Sequence, residues 1–130
     1  MRLDTYLTYQ KRYPEVVKQD LVFIANSSNL LDTYFFDDND ALVDITGATV
    51  IFIVKSKPSD ANSSAVINKS ITTFTAAQNG NTLIEVTKSD CSSLLGNYVY
   101  EIRIALADSG YEYILKQGNL TFQKSLYAAS

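Results

Sequence analysis

The sequence predicts an all-β protein, an antiparallel sandwich of about seven strands. Short runs rich in Val, Ile, Thr, Tyr and Phe are separated by clusters of Asn, Asp, Ser and Gly, and turn signals recur about every 8–12 residues. Strands do not alternate with helical segments, which would indicate a parallel sheet. The 130 residues suggest one domain, and a hydrophobic content of 46% is enough for a core.

Composition argues against several classes of function. Histidine is absent, so the commonest general base and the commonest zinc ligand are both missing. A net charge of −3 does not fit a nucleic-acid-binding surface. The single cysteine, Cys91, cannot form an internal disulfide. Without an apolar run of signal-peptide or membrane-span length, the chain is expected to be soluble and made in a reducing cytoplasm.

Residues 1–19 differ from the rest and are predicted to form an interaction arm. Tyr6, Tyr9 and Tyr13 would be its aromatic anchors, and Pro14 interrupts any helix. A first strand or a disordered start is the alternative.

From residue 20 onward, short β-type runs end at turn residues. The strand at 49–55 is apolar on both faces, which predicts either a central strand covered on both sides or a subunit contact. The other predicted strands lie at 20–26, 34–36, 82–86, 98–104, 111–115 and 118–124, with one or two more at 65–74, a short helical turn at 87–96 and a tail at 126–130.

Alternation is clearest after Gly96. Tyr98 and Tyr100 share one strand face with two isoleucines, which favours the core for both tyrosines. Tyr111 and Tyr113 follow the turn at 108–110 on the partner strand. If exposed, these rings would stack on sugars or form an interface.

Three segments, in order, resemble a known family: "DITGATVIFIVK", then "LIEVTKSD" with "LLGNYVYEIRI", then "GYEYILKQGNLTF". The set is similar to the immunoglobulin-like N-terminal domain of phage baseplate upper proteins and related tailed-phage structural proteins. The resemblance covers about residues 20–125. It implies an immunoglobulin-like sandwich that docks virion components (baseplate, tail or neck) onto one another.

An acidic stretch offers a calcium candidate. Asp37, Asp38, Asp40 and Asp44 concentrate hard oxygen ligands, but the glycine and distal glutamate of a calcium loop are missing. A solvated turn, in which Asp and Asn bond their own backbone, is favoured.

Enzymatic candidates are weak. Cys91 lies where a helix start would lower a thiol pKa, but no histidine can act as its base. The carboxylates Glu85, Glu101, Asp108 and Glu112 could supply a glycosidase pair, yet Glu101 alternates with an arginine on a strand face, as in ordinary cross-strand ion pairing.

The sequence therefore predicts a non-enzymatic virion component, made in the bacterial host cytoplasm and needing no cofactor. Its partners would be other virion proteins and further copies of itself in a symmetric assembly, without nucleic acid or membrane. Expected interface residues are Tyr6, Tyr9, Tyr13, Tyr111, Tyr113 and Tyr127. The alternative is a carbohydrate-binding or adhesin-type module that recognises a host surface.

Overall fold

The computed structural model describes residues 1–6, 17–37, 39–107 and 112–126. Within these ranges the chain forms two facing β-sheets, which confirms the predicted all-β sandwich. The strands are β1 (Arg2–Tyr6), β2 (Val17–Lys18), β3 (Leu21–Ile24), β4 (Asn29–Phe36), β5 (Thr49–Lys55), β6 (Ile67–Ile71), β7 (Asn81–Val86), β8 (Gly96–Ala105) and β9 (Glu112–Gln123). Two short 3-10 turns lie at Asn62–Ser64 and Ala77–Asn79.

The two sheets differ in size and in how the N-terminal strands join them. The smaller sheet has the order β1-β4-β7, and the larger has the order β2-β9-β8-β5-β6, with β3 also paired to β9. Pairs among β4 to β9 are antiparallel. In contrast, β1 runs parallel to β4, and β2 and β3 run parallel to β9. The N-terminal region thus contributes an edge strand to each sheet.

The core lies between the sheets and follows the period-2 alternation of the strands. Val50, Phe52 and Val54 on β5 are fully buried there. Phe23 contacts both Phe52 and Phe122, with ring centroids 6.4 and 5.8 Å apart. Since β5 pairs with β6 on one side and β8 on the other, it is an internal strand with the predicted bounds.

The inward face of β8 matches its predicted alternation. Tyr100, Ile102 and Ile104 are buried. Tyr98 packs edge-on against Phe122 with a centroid distance of 5.5 Å. The prediction that Tyr98 and Tyr100 point inward is therefore confirmed.

Both described ends of the predicted arm lie in the sandwich. Leu3 and Thr5 on β1 are 1% and 0% exposed, and the Thr5 hydroxyl donates to the carbonyl of Tyr34. At the other end, β2 pairs with β9. Residues 2–6 thus behave as a first strand, which was the alternative interpretation, and residues 7–16 lie outside the described part of the chain.

The predicted helical turn at 87–96 is wrong. Residues 88–93 form consecutive turns, and Gly96 begins β8. Asp90 accepts a hydrogen bond from the backbone N–H of Thr87 at 2.8 Å, and the thiol of Cys91 donates to the carbonyl of Ser27 at 3.2 Å. The polar residues that suggested a helix cap therefore stabilise turns, where Asp, Ser and Thr bond equally well.

A close backbone contact holds β2 against β9. The carbonyl of Gln19 lies so close to Gly118 that a side chain there would collide with it. Tyr100 donates its hydroxyl hydrogen bond to the same carbonyl. The buried ammonium of Lys116 donates to the side chain of Gln19 and to the carbonyl of Asp4, so one cation ties both N-terminal strands to β9. Burial lowers the pKa of Lys116.

Candidate binding groove

The outer face of the larger sheet carries a groove of about 520 Å³. Its floor includes the side chains of Ile51, Ile53 and Val99, which point away from the core because they alternate with buried residues on β5 and β8. Ile53 is only 8% exposed although it faces outward. The two-sided apolar character of residues 49–55 thus reflects a core on one face and the groove on the other.

A row of polar side chains crosses the floor. Lys18 donates to the amide oxygen of Gln117 at 2.6 Å, and the amide nitrogen of Gln117 donates to Glu101 at 2.5 Å. Next in the row, Nε of Arg103 lies 3.3 Å from the other Glu101 oxygen. This nitrogen is buried and has no well-directed hydrogen bond, so the pair is an ion pair by distance alone. The guanidinium is therefore incompletely satisfied.

Basic groups flank the groove on both sides. The ammonium of Lys55 donates to the carbonyl of Asp60 at 2.8 Å, and Lys18 lies across the sheet on β2. Within the described part of the chain, neither lysine has a carboxylate at ion-pair distance. The lining holds three cations, counting Arg103, against the carboxylates of Asp20 and Glu101. The groove is locally positive on a chain whose net charge is −3.

The tyrosines predicted at interfaces do not form this site. Tyr113 is half-buried and packs against the core, and its predicted interface role stays a prediction. The backbone of Tyr6 is part of β1. Tyr9, Tyr13, Tyr111 and Tyr127 lie outside the described residues, so their interface role remains a prediction.

The acidic stretch forms a turn, as the favoured interpretation holds. Asp37 accepts hydrogen bonds from the backbone N–H groups of Asn39 and Ala41 at 2.8 and 3.0 Å. Asp44 accepts from both the backbone N–H and the hydroxyl of Thr46, which lowers its pKa.

The described acidic groups of this stretch do not come together in a metal-binding cluster. No group of three or more potential ligands forms among the described residues. Asp40 is exposed with a left-handed backbone at φ 61°, and Asp38 lies outside the described range.

The enzymatic candidates are not brought together either. Glu85 lies on β7 in the smaller sheet, whereas Glu101 and Glu112 lie on β8 and β9 of the larger. Glu101 pairs with Gln117 and Glu112 with Ala105, so the two are roughly 13 Å apart along the strands. Cys91 is fully buried, and Asp108 lies outside the described residues.

Sequence reasoning missed most of the groove. Only the apolar outer face of β5 signalled it, through Ile51 and Ile53. Lys18, Gln117 and Arg103 are far apart in the sequence, and their alignment depends on the parallel pairing of β2 with β9. No local motif predicts that pairing.

The fold and site together define an all-β, two-sheet sandwich with an open groove on its larger sheet. No protein-family model matches the sequence, and no curated protein matches it. Among solved structures, the chain is similar to the N-terminal domain of ORF48 of phage TP901-1, with a TM-score of 0.52 and 12% identity, over 95% of this chain and 98% of that one. It is more distantly similar to auracyanin A, a blue copper protein from Chloroflexus aurantiacus, with a TM-score of 0.39 and 12% identity over the same shares.

The described residues include no helix of the length and apolarity needed to cross a membrane.

Proposed function

We propose that this chain is a non-enzymatic structural component of a tailed-phage virion, in the baseplate, tail or neck, which assembles through protein–protein contacts. The observation that carries the proposal is the similarity, over nearly the whole of both chains, to a domain of a phage protein. The three ordered sequence motifs that resemble phage baseplate upper proteins support the same assignment.

The site chemistry supports association rather than catalysis. Of the carboxylates considered for catalysis, Glu85 lies on a different sheet from Glu101 and Glu112, and those two are too far apart for paired acid–base work. The groove instead combines an apolar floor with charged rims, which is the composition of a recognition surface.

Location in the particle tests this proposal. Tailed particles purified from the host should contain the chain in fixed proportion to known tail proteins, as measured by quantitative peptide mass spectrometry. Antibody-gold labelling should place it on the tail or neck. If the chain is absent from washed particles but present in the infected-cell extract, it is not a virion component.

The groove favours a second candidate function, a carbohydrate-binding module. Its volume is in the range of small-ligand sites, and Arg103 and Lys55 could bind acidic sugars. However, Tyr98, Tyr100 and Tyr113, which would provide stacking rings, are directed into the core. Binding to a glycan panel that is lost on Arg103→Gln would support this candidate, and a panel without binders would remove it.

A further inference from the structure

We propose that the groove binds a second copy of this chain, through a protruding acidic turn of that copy. The acidic turn is defined as residues 39–44, with Asp40, Leu42 and Asp44 as its contact residues. The inference rests on the proposed assembly function and names the partner of the groove within it.

The acidic turn presents an apolar side chain between two carboxylates. Leu42 is 46% exposed, and Asp40 and Asp44 are also exposed. Asp44 carries its charge at neutral pH as any exposed aspartate does, and the hydrogen bonds from Thr46 lower its pKa further. Among the described residues, Leu42 is neither part of the core nor one of the side chains packed against it.

The groove presents the complementary pattern. Ile51, Ile53 and Val99 provide an apolar floor for a leucine, while Lys18 and Lys55 flank it without carboxylate partners among the described residues. An arriving carboxylate would satisfy an ammonium group at little desolvation cost, because both lysines are near solvent. The two surfaces are therefore complementary. The turn places a leucine between two carboxylates, and the groove places an apolar floor between two lysines.

A single copy cannot fill its own groove. The acidic turn continues the smaller sheet: Phe36 bridges to Leu42, and the N–H of Val43 donates to the carbonyl of Phe35 at 2.9 Å. The groove lies on the outer face of the larger sheet, on the far side of the core. The contact therefore joins different copies head to tail, and such contacts produce rings or filaments when repeated.

Sedimentation velocity of the full chain tests this contact. The measurement would run up to about 1 mM protein, so that association with a Kd as weak as roughly 1 mM is detected. Association should be clear in about 20 mM salt and weaken at least severalfold near 0.5 M, where charges are screened beyond about 4 Å.

Two variants separate the two sides of the contact. The turn variant carries Asp40→Asn with Leu42→Ser, and the groove variant carries Lys18→Glu with Lys55→Glu. Each should associate at least about tenfold more weakly than the parent chain. Matched controls are Leu83→Ser, at another exposed leucine, and Lys88→Glu, at another exposed lysine; both should associate normally.

Mixing gives the decisive result. The turn variant keeps an intact groove, and the groove variant keeps an intact turn, so an equal mixture should form dimers that neither variant forms alone. Circular dichroism and thermal unfolding would show that both remain folded.

Several results would overturn the inference: a parent chain that stays monomeric throughout, variants that associate like the parent, or a mixture that stays monomeric. NMR resonances of the groove residues can be followed during titration. If they shift on addition of acidic glycans, but not with increasing concentration of the chain itself, the groove binds a different ligand. None of these results removes the proposed virion role, because that depends on the presence of the chain in purified particles.

Discussion

At the scale of single residues, Gly118 occupies a position in the fold that has no room for a side chain. The carbonyl of Gln19 occupies the space that a side chain would need, and Tyr100 donates to that same carbonyl. The chain must therefore either move β2 away from β9 or distort β9 when a methyl group is added.

We predict that Gly118→Ala lowers the free energy of unfolding by about 1–3 kcal/mol, as expected for overpacking against backbone. The neighbouring Asn119→Ala, at an exposed site, should change it by less than about 0.5 kcal/mol. Urea denaturation measures both. Equal effects of the two substitutions would show that the close approach of the Gln19 carbonyl does not exclude a side chain at position 118.

Asp90 is a second single residue of interest, because its contribution to the stability of the fold depends on pH. Its carboxylate lies 2.7 Å from the ammonium of Lys69 and accepts from the N–H of Thr87, and these contacts lower its pKa, with the Lys69 hydrogen bond as the largest cause. A carboxyl with a lowered folded-state pKa stabilises the protein above its unfolded value of 3.8, and that stabilisation is lost as the pH falls through the folded-state pKa.

Asp90→Asn should therefore cost on the order of 1 kcal/mol at neutral pH, and the difference from the parent chain should shrink as the pH falls below about 4. Unfolding measured across this pH range tests the prediction. Lys69→Met should flatten the same dependence. A difference between Asp90→Asn and the parent that is constant down to about pH 2 would contradict it.

At the scale of elements, β1 is the strand whose role differs most from the sequence-based expectation. An arm that only bound neighbours could be removed from a stable sandwich. Leu3, however, is buried in the core between the sheets, while Leu30 on the paired strand β4 is 44% exposed. The two leucines form a matched pair for measuring what β1 contributes.

Leu3→Ala should destabilise the protein by about 2–5 kcal/mol, because it leaves a cavity in the core. Leu30→Ala should cost less than about 0.5 kcal/mol. Thermal unfolding of the two variants distinguishes these outcomes. A small effect of Leu3→Ala would restore the view that residues 1–6 are dispensable for folding.

The elements also show which features local sequence patterns can predict. The bounds of β5 and the alternation of β8 were predictable, because each strand places its own residues alternately on two faces. The turns at 88–93 were misread as a helix, since capping residues satisfy backbone groups in either structure. In β1, only Leu3 and Thr5 mark the buried face, which is too short a pattern to distinguish a strand from an arm.

At the scale of the whole molecule, the parallel pairings were beyond prediction. They pair residues that are roughly 30 and 100 positions apart in the sequence, and no local signal specifies such pairing. The groove depends on them too, because Lys18 reaches Gln117 only through the pairing of β2 with β9. The sandwich was therefore predictable from the sequence, but the site on its surface was not.

Cys91 can report on opening of the whole molecule. Its thiol is fully buried and donates to the carbonyl of Ser27, so reagent can reach it only when the turns at 88–93 separate from β3 and β4. We predict that a thiol reagent labels the native protein at least roughly 10³-fold more slowly than the urea-unfolded chain, in line with the usual folded-to-unfolded ratio. Labelling at similar rates would mean that this region opens independently of global unfolding.

The parallel pairing of β3 with β9 also has a mechanical consequence. Leu21–Ile24 lies beside residues 120–123 and runs in the same direction, so the N-terminal end of one strand and the C-terminal end of the other are at opposite ends of the pair. A force that pulls the two ends apart therefore acts along the strands, and their hydrogen bonds must break together rather than one after another. A load applied between these two ends would therefore be carried through the sandwich without unravelling it strand by strand.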